Sequence, residues 1–241
     1  MQKLIDTIFS NKNIVVITGA GISTLSGIPD FRGKDGLYTK NENVELKLSH
    51  DYFIEEPDGF YEFYTKNMIM DNIKPNIIHE TLASLEKKGY ISYIITQNID
   101  NLHQKAGSKN VLDIHGNGEK FYCQKCRTNY SLEEYLNNGY VCNKCKGTIR
   151  PDIVLYGECI KTSDRYLAYE IINKADTIIV LGSSLVVSTV SNLLHKYLRD
   201  NKNRPLFIIN NQETPFDYCA EIYSEDLGIV LKKIKDKIKY N

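Results

Sequence analysis

The first apolar run of the chain, residues 14–18, leads directly into a pair of glycines, Gly19 and Gly21. A run of β-branched residues without a charge predicts a strand that is buried on both faces of a sheet. Glycines at its carboxyl end let the backbone approach a ligand closely. We expect Ser23 and Ser26 to cap a short helix, whose free N–H groups favour a phosphate. The stretch therefore predicts a phosphate-binding turn.

A loop with a carboxylate, an aromatic ring and a guanidinium follows the glycine pair. Thr24 stands where the dinucleotide fingerprint needs a third glycine, so a tight strand-to-helix turn without a ligand remains an open alternative. Asp30, Phe31 and Arg32 come directly after a turn stiffened by Pro29. An arginine at this place can bind a pyrophosphate through two parallel hydrogen bonds, which favours the phosphate-binding interpretation.

Predicted strands and helices alternate along most of the chain, with strands at 14–18, 90–96, 111–114, 177–181 and 206–209 and helices at 2–10, 76–88, 163–174, 190–198 and 227–238. This alternation predicts an α/β fold with a parallel, doubly wound sheet and right-handed crossovers. Residues 34–75 interrupt it with aromatic side chains at helical spacing and Pro57 at a helix start, which predicts an inserted helical segment.

Polar residues follow several of the predicted strands at their carboxyl ends. Ligands of open α/β sheets bind outside this edge, so these side chains are candidates for a site. His115 follows the strand 111–114, and its imidazole titrates near neutral pH, as a general base requires. For the polar residues after strand 90–96, the alternative is an Asx-rich loop whose side chains bond to its own backbone. The candidates are Gln97, Asn98 and Asp100 after strand 90–96, Ser183 and Ser184 after strand 177–181, and Asn210 after strand 206–209.

Four of the six cysteines form two Cys-x2-Cys pairs, Cys123 with Cys126 and Cys142 with Cys145. This spacing predicts a zinc ribbon, and four thiolates leave no open coordination position for catalysis. The zinc ion is therefore expected to be structural. Cys159 and Cys219 stand alone, and we expect them to be buried thiols.

Composition limits the function classes. The chain has 241 residues, with 30 basic and 30 acidic side chains, so it lacks the positive charge that typically holds nucleic acid or anionic lipid. Residues 1–11 lack the apolar region of a signal peptide, which predicts a cytoplasmic protein. Partners at a membrane or on nucleic acid are not expected.

The order of these motifs resembles that of the sirtuins, in particular the bacterial NAD-dependent protein deacylases. The motifs are Gly19-Ala20-Gly21-Ile22-Ser23, Gly27-Ile28-Pro29-Asp30-Phe31-Arg32, Gln97-Asn98-Ile99-Asp100, His115-Gly116, the paired cysteines and Gly182-Ser183-Ser184-Leu185. The resemblance implies a Rossmann-like NAD-binding domain at 1–33, 76–116 and 151–241. It also implies a helical insertion with the cofactor loop at 34–75 and a four-cysteine zinc module at 117–150.

The resemblance also implies roles for individual residues. His115 would be the catalytic base, with Asn98 beside it, and Asp100 would hold the nicotinamide carboxamide. Val154 to Gly157 and Leu185 to Val187 would bind an acyl-lysine peptide as an added strand. The products implied are free lysine, nicotinamide and O-acyl-ADP-ribose. NAD would contact Ala20, Thr24, Phe31, Arg32, Gln97, Ile99, Asp100, His115, Ser183, Ser184, Asn210 and Asp226.

The sequence departs from the family pattern at a few positions. Asn101 replaces a usual glycine, and Asn117 replaces a usual threonine or serine, so the geometry of the cofactor loop is the feature most affected. Tyr64 is followed by Asn67 where the desuccinylase-like branch has an arginine, which predicts a preference for uncharged acyl groups such as acetyl.

Three other functions are alternatives. A mono-ADP-ribosyltransferase could use the same pocket if another nucleophile captured the ribose, although it has less need of His115 as a base. An NAD-sensing zinc-ribbon binding module that reads nucleic acid is disfavoured by the zero net charge. A dehydrogenase is disfavoured because no acidic residue closes the second strand, where a ligand of the NAD ribose is expected.

Overall fold

The computed structural model describes residues 1–10, 13–33, 35–70, 72–200 and 204–238. Lys34, at the predicted start of the helical insertion, lies outside the described residues. The strands are β1 (Ile14–Thr18), β2 (Ile91–Thr96), β3 (Val111–Asp113), β4 (Gly116–Cys123), β5 (Asn129–Tyr130), β6 (Ile149–Ile153), β7 (Thr177–Leu181), β8 (Leu206–Ile209) and β9 (Glu221–Tyr223).

Six strands form one parallel sheet in the order β3-β2-β1-β7-β8-β9. The predicted parallel, doubly wound α/β fold is therefore confirmed. Thr18 at the end of β1 pairs in register with Thr96 of β2 and Leu181 of β7. As a result, the loops that follow these three strands leave the sheet at the same edge.

The α-helices are α1 (Gln2–Ser10), α2 (Leu37–Lys40), α3 (Val44–Lys47), α4 (His50–Glu55), α5 (Pro57–Asn67), α6 (Ile77–Lys87), α7 (Leu102–Lys105), α8 (Leu132–Asn138), α9 (Thr162–Lys174), α10 (Ser188–Asp200) and α11 (Leu227–Ile238). Apolar side chains of α1, α6 and α11 pack on one face of the parallel sheet, and those of α9 and α10 pack on the other face. The sheet is thus the middle layer of three. None of the described helices is long and apolar enough to cross a membrane.

A second, antiparallel sheet has the order β5-β4-β6 and lies in the cysteine-rich segment. Its buried residues share one core with aromatic side chains of α4 and α5, for example Phe121 and Tyr130 with Phe53 and Phe60. The helical insertion and the cysteine-rich segment therefore pack against each other. Strands β4 and β6 reach from Gly116 to Ile153, slightly beyond the predicted zinc module at both ends.

Two local expectations were wrong. The turn after β1 is a 3-10 helix, Ala20–Ser26, which begins at Gly19 without a side-chain cap, because Ser23 and Ser26 lie inside it and bond elsewhere. Cys159 is exposed and Cys219 is partly exposed, so neither is the buried thiol that was expected.

Candidate functional site

The site begins where β1 and β7, adjacent in the sheet, send their loops in opposite directions. A crevice forms at such a switch point in doubly wound sheets. A Cβ atom added to Gly21 would lie 2.8 Å from the Gly182 Cα, and one added to Gly182 would lie 2.8 Å from the Gly21 carbonyl carbon. Gly182 also has a φ of +59°, which favours glycine. The two glycines therefore let the two turns approach each other and open the crevice beside them.

Polar side chains from three strand ends are tied together at this crevice. The Gln97 amide donates to the Ser183 hydroxyl at 2.8 Å, and the Asn98 amide donates to the Gly19 carbonyl at 3.2 Å. The loops after β1, β2 and β7 are thus linked by side-chain hydrogen bonds.

Ser23, which the sequence pattern placed as a helix cap, lies at the centre of this network. Its hydroxyl donates to Asp100 Oδ2 at 2.6 Å and accepts from the Asn98 amide at 3.2 Å. The position of Asp100 is fixed further because its Oδ1 accepts from the Leu102 N–H at 2.9 Å. The Gly-x-Gly-x-Ser spacing is the feature of the sequence that could have indicated this role.

His115 follows β3 and lies at the same edge of the sheet. Its Nδ1 is 3.2 Å from the Gln97 carbonyl oxygen, and because a carbonyl only accepts hydrogen bonds, Nδ1 carries the proton. Nε2 is then the basic atom. Burial lowers the pKa of His115, and the bond to the Gln97 carbonyl opposes this shift only in part. The imidazole is therefore neutral and able to accept a proton at neutral pH.

A cavity of about 570 Å³ joins these groups. A smaller cavity of about 120 Å³ shares Ala20, Phe31, Asn98 and Ile99 with it and contains Asp100. The two together bring all the predicted cofactor residues to one cleft. The larger cavity is lined by Ala20, Thr24, Phe31, Arg32, Gln97, Asn98, Ile99, His115, Ser183, Ser184, Asn210 and Asp226, among others.

The loop with Phe31 and Arg32 closes one side of the cleft. The Phe31 ring packs edge-on against Tyr38, with centroids 5.6 Å apart, and the Arg32 guanidinium lies 5.2 Å from the Tyr38 ring centroid. The Tyr38 hydroxyl bonds to that of Tyr156, which lines the cleft. Tyr156 belongs to the segment predicted to bind the peptide, but Tyr38 was not among the predicted site residues, and no charge or spacing distinguishes it in the sequence.

Asn210 and Asp226 lie at the far end of the cleft. The Asn210 amide donates to the Gln212 carbonyl at 2.8 Å. Asp226 Oδ1 accepts from the Ile229 N–H at 3.0 Å and so caps α11. Asp226 therefore has a structural role that the motif comparison did not indicate.

The two segments predicted to hold a peptide border the same cavity. Val154 to Gly157 line it, as do Val186 and Val187. Leu185, the first residue of the second segment, differs because its side chain is 1% exposed and packs in the core behind the sheet.

The four cysteines of the paired motifs lie together, with their sulfur atoms within 4.8 Å of one another. The Cys123 and Cys145 sulfurs are 3.5 Å apart, and those of Cys126 and Cys142 are 3.7 Å apart. A tetrahedral zinc ion with Zn–S bonds of about 2.3 Å requires sulfurs about 3.8 Å apart. The cluster therefore fits one zinc ion with four thiolate ligands, as predicted.

Both cysteine pairs are held by the same kind of turn. The N–H of Arg127 donates to the Cys123 carbonyl at 2.9 Å, and the N–H of Lys146 donates to the Cys142 carbonyl at 3.0 Å. Arg127 and Lys146 have φ angles of 58° and 59°. The two turns are thus equivalent, and each aims its cysteines at the shared centre.

Comparison with known proteins decides the family. The sequence model of the Sir2 family matches residues 19–189, which is more than half of the chain. The chain belongs to the Sir2 family. The matched range includes the glycine turns, His115 and all four clustered cysteines.

Sir2 relatives and structures match the chain over nearly its full length. The NAD-dependent protein deacetylase of Clostridium tetani (strain Massachusetts / E88) is 42% identical, and the match covers 99% of this chain and 98% of that protein. That of Clostridium perfringens (strain 13 / Type A) is also 42% identical, with 98% of each chain covered. A structure of Sir2 with p53 peptide and NAD+ has a TM-score of 0.90 at 38% identity, with 100% of this chain and 99% of that chain covered.

A further Sir2 structure holds the inhibitor EX-527, 2'-O-acetyl-ADP-ribose and a deacetylated p53 peptide. It is similar to this chain with a TM-score of 0.89 at 37% identity, and the match covers 100% of both chains. The fold that surrounds these ligands is therefore the fold of this chain.

Two of the departures from the Sir2 pattern, Asn101 and Asn117, contact each other. The Asn117 side-chain amide donates to the Asn101 side-chain oxygen at 3.3 Å, and Asn101 donates to Glu119 Oε2 at 2.9 Å. Asn101 has a φ of 61°, which asparagine tolerates better than most residues with a side chain. The backbone shape expected of a glycine is thus kept, and the added side chain is bonded.

Proposed function

We propose that this chain is an NAD-dependent protein-lysine deacetylase that releases nicotinamide and O-acetyl-ADP-ribose, with other uncharged acyl groups as further substrates. The observation that carries the proposal is the convergence of His115, Asn98 and Ser183 on one cleft between the glycine turns. The full-length similarity to deacetylases and to Sir2 complexes with NAD and peptide supports it.

NAD, when bound, supplies a ribose carbon that becomes electrophilic as the cationic nicotinamide departs. In the proposed arrangement Gly21, Ser183 and Ser184 face the phosphates at the crevice between β1 and β7. Asp100 and Ile99 hold the nicotinamide in the smaller cavity. Asn210 contacts the adenosine ribose, and Asp226 borders the adenine end. The remaining predicted contacts are Ala20, Thr24, Arg32 and Gln97.

His115 is the proposed general base. Its Nδ1–H bond to the Gln97 carbonyl fixes the ring and leaves the Nε2 lone pair for a proton from a ribose hydroxyl. The lowered pKa of His115 keeps Nε2 unprotonated at neutral pH. A positioned base of this kind typically contributes 10²–10⁴-fold, roughly, to a rate.

Phe31 and the peptide segments protect the reaction from water. Phe31 lines both cavities. Exclusion of water from this place prevents hydrolysis of the reactive ribose. The peptide is proposed to bind as an added strand between Val154 to Gly157 and Leu185 to Val187, through main-chain hydrogen bonds that tolerate many sequences.

The zinc ion has a structural role in this proposal. Four thiolates complete its coordination, and its binding energy stabilises the small sheet β5-β4-β6. We also propose the three-part division predicted from the sequence, with the zinc module packed on the helical insertion. A cytoplasmic location fits a chain that keeps zinc-binding thiolates and further free cysteines.

Product analysis tests the proposal. The purified protein is incubated with NAD and an acetyl-lysine peptide, and the products are identified by mass. Equal amounts of nicotinamide, deacetylated peptide and O-acetyl-ADP-ribose are expected. ADP-ribose attached to the peptide or to the protein, without loss of acetyl, would instead identify a mono-ADP-ribosyltransferase.

A further inference from the structure

A partly buried ion pair, Arg150 with Glu158, flanks the proposed peptide segment. Arg150 is 4% exposed, and its two terminal nitrogens donate to the two Glu158 oxygens at 2.5 and 2.8 Å. The Arg150 guanidinium also lies 5.2 Å from the Phe53 ring centroid and 5.9 Å from that of Tyr122. The arginine is therefore held between two rings while it pairs with the carboxylate.

The same two side chains bond to the backbone between them. Arg150 donates to the Ile153 carbonyl at 2.8 Å and to the Pro151 carbonyl at 3.3 Å. Glu158 Oε2 accepts from the Leu155 N–H at 2.9 Å. The ion pair thus holds the chain on both sides of Val154.

Other contacts use most of the remaining main-chain groups of the segment. The Val154 N–H donates to the His115 carbonyl, and the Tyr156 N–H and carbonyl bond to residues 48 and 50. The Leu155 carbonyl accepts from the Glu158 N–H at 3.0 Å. Within the part of the chain that the structure describes, the Val154 carbonyl and the Gly157 N–H are left for another strand.

We propose that Arg150 and Glu158 are positioning residues that hold residues 153–158 in the shape that receives the peptide, with the Val154 carbonyl and the Gly157 N–H as its main-chain partners. This inference rests on the proposed deacetylase function and deepens it. Without the pair, the Leu155 N–H and the Ile153 carbonyl lose their partners and compete for the groups that the peptide needs. Arg150 does not line the cleft beside His115, and Glu158 borders it with both carboxylate oxygens bound by Arg150 and the Leu155 N–H, so we expect the pair to act on peptide binding.

The pH behaviour of the pair agrees with this geometry. Burial raises the pKa of Glu158, but the hydrogen bonds from Arg150 and from the Leu155 N–H outweigh it, and the net pKa is lowered. Glu158 is therefore ionised at neutral pH. Both of its oxygens can then accept hydrogen bonds from Arg150 and the Leu155 N–H.

The first experiment measures steady-state kinetics of Glu158→Gln, which keeps the size of the side chain and removes its charge. We expect the KM for acetyl-lysine peptide to rise roughly tenfold, the effect of losing a hydrogen bond to a charged group. The KM for NAD and the kcat at saturating peptide should stay within about twofold of wild type. The reason is that the lost interaction holds the peptide equally in the ground state and in the transition state. Lys161→Met is the matched control, since it breaks the nearby exposed pair with Asp152, which makes no bond to residues 153–155.

An unchanged peptide KM in a folded Glu158→Gln protein would overturn the inference while leaving the deacetylase proposal intact. Absence of peptide-dependent nicotinamide release from the wild type would instead refute the proposed function itself. The two failures are therefore distinguishable.

Hydrogen exchange on the wild-type protein gives a second test that needs no variant. With acetyl-lysine peptide and without NAD, the Gly157 amide should become at least about tenfold more protected, whereas the Leu155 amide should be protected already and change little. Strong new protection at Leu155 and none at Gly157 would contradict the inference, even if Glu158→Gln failed to fold.

Discussion

The Nδ1 atom of His115 donates a hydrogen bond to the main-chain carbonyl of Gln97, at 3.2 Å. Gln97 is the first residue after β2, and His115 follows β3, so the bond connects two neighbouring strand ends. It fixes both the orientation of the imidazole and the nitrogen that can accept a proton. The catalytic proposal depends on this relationship.

Replacement of His115 by alanine should lower the deacetylation rate by roughly 10²–10⁴-fold, because the positioned base is lost. NAD binding, measured by calorimetry, should change by less than about tenfold, since the other cleft residues remain. His195→Ala is the control, because His195 is exposed on α10 and packs against Phe216. A His115→Ala enzyme that kept most of its turnover would remove the histidine from this role.

The pH dependence gives an independent reading of the same group. Burial lowers the pKa of His115 below its ordinary value of 6.5. The imidazole therefore stays unprotonated over a wider pH range. The midpoint of the acidic limb of kcat/KM for NAD should lie below pH 6.5. An acidic limb with a midpoint above pH 7 that persists in every His115 variant would contradict this assignment.

The stability of the protein should fall in mild acid because of His79 and His103. Both are buried with rings 5.1 Å apart, and burial lowers the pKa of His79 to about 4 and that of His103 to about 3. Since the unfolded chain binds these protons near pH 6.5, the stabilisation is fully present above pH 6.5 and is lost as the pH falls toward 4.

Urea unfolding at pH 7.5 and pH 5.5 measures this effect. Each histidine should lower the free energy of unfolding by roughly 1–1.5 kcal/mol at pH 5.5 relative to pH 7.5. His103→Gln should reduce this pH dependence by the share of one histidine, roughly 1–1.5 kcal/mol. An equal free energy at both pH values in the wild type would show that the two imidazoles are not buried in neutral form.

Loss of one zinc ligand should unfold the small sheet. Cys142→Ala leaves three thiolates, and the metal energy that stabilises β5-β4-β6 is largely lost. Metal analysis should find one zinc ion per wild-type chain and much less in the variant, with a thermal midpoint lower by roughly 8–16 °C for a loss of about 4 kcal/mol. Cys159→Ala, outside the cluster, is the control. Undiminished zinc content and midpoint would refute the structural site.

Acetyl-lysine should be a better substrate than succinyl-lysine. The Tyr64 side chain is buried, and the Asn67 amide donates to the Phe63 carbonyl of its own helix at 2.8 Å, so neither supplies a positive charge. Lys105 in the smaller cavity is paired with Glu119. The kcat/KM for the acetylated peptide should exceed that for the succinylated peptide by about tenfold or more, the cost of an unpaired buried carboxylate. Equal turnover of both peptides would show that another cation binds the acid.

Periodicity and spacing were sufficient to predict five of the six strands of the parallel sheet and the metal cluster. The β-branched runs at β1, β2 and β7 and the two Cys-x2-Cys pairs are local patterns, and each maps directly to one element or one ligand set. By contrast, β9 and the strands beside the cysteines are two to eight residues long and mixed in polarity, so they depend on tertiary pairing that no local pattern shows.

Contacts within the site were less predictable than its members. Ser23 was expected to cap a helix, but it bonds to Asp100, which is 77 residues away in the chain. Arg150 and Glu158 have no motif of their own, and their proposed role follows from their hydrogen bonds to each other and to the backbone of residues 153 and 155. Such contacts depend on how loops that are distant in the sequence pack against each other. The residue type at one position does not reveal this packing.

The most direct test of the central claim is the rate of nicotinamide release from NAD by the purified protein, measured with and without an acetyl-lysine peptide. The account predicts rapid release only with the acetylated peptide, in equal amount to the deacetylated peptide that forms. Release at the same rate with no peptide or with an unmodified peptide, or no release at all, would contradict it.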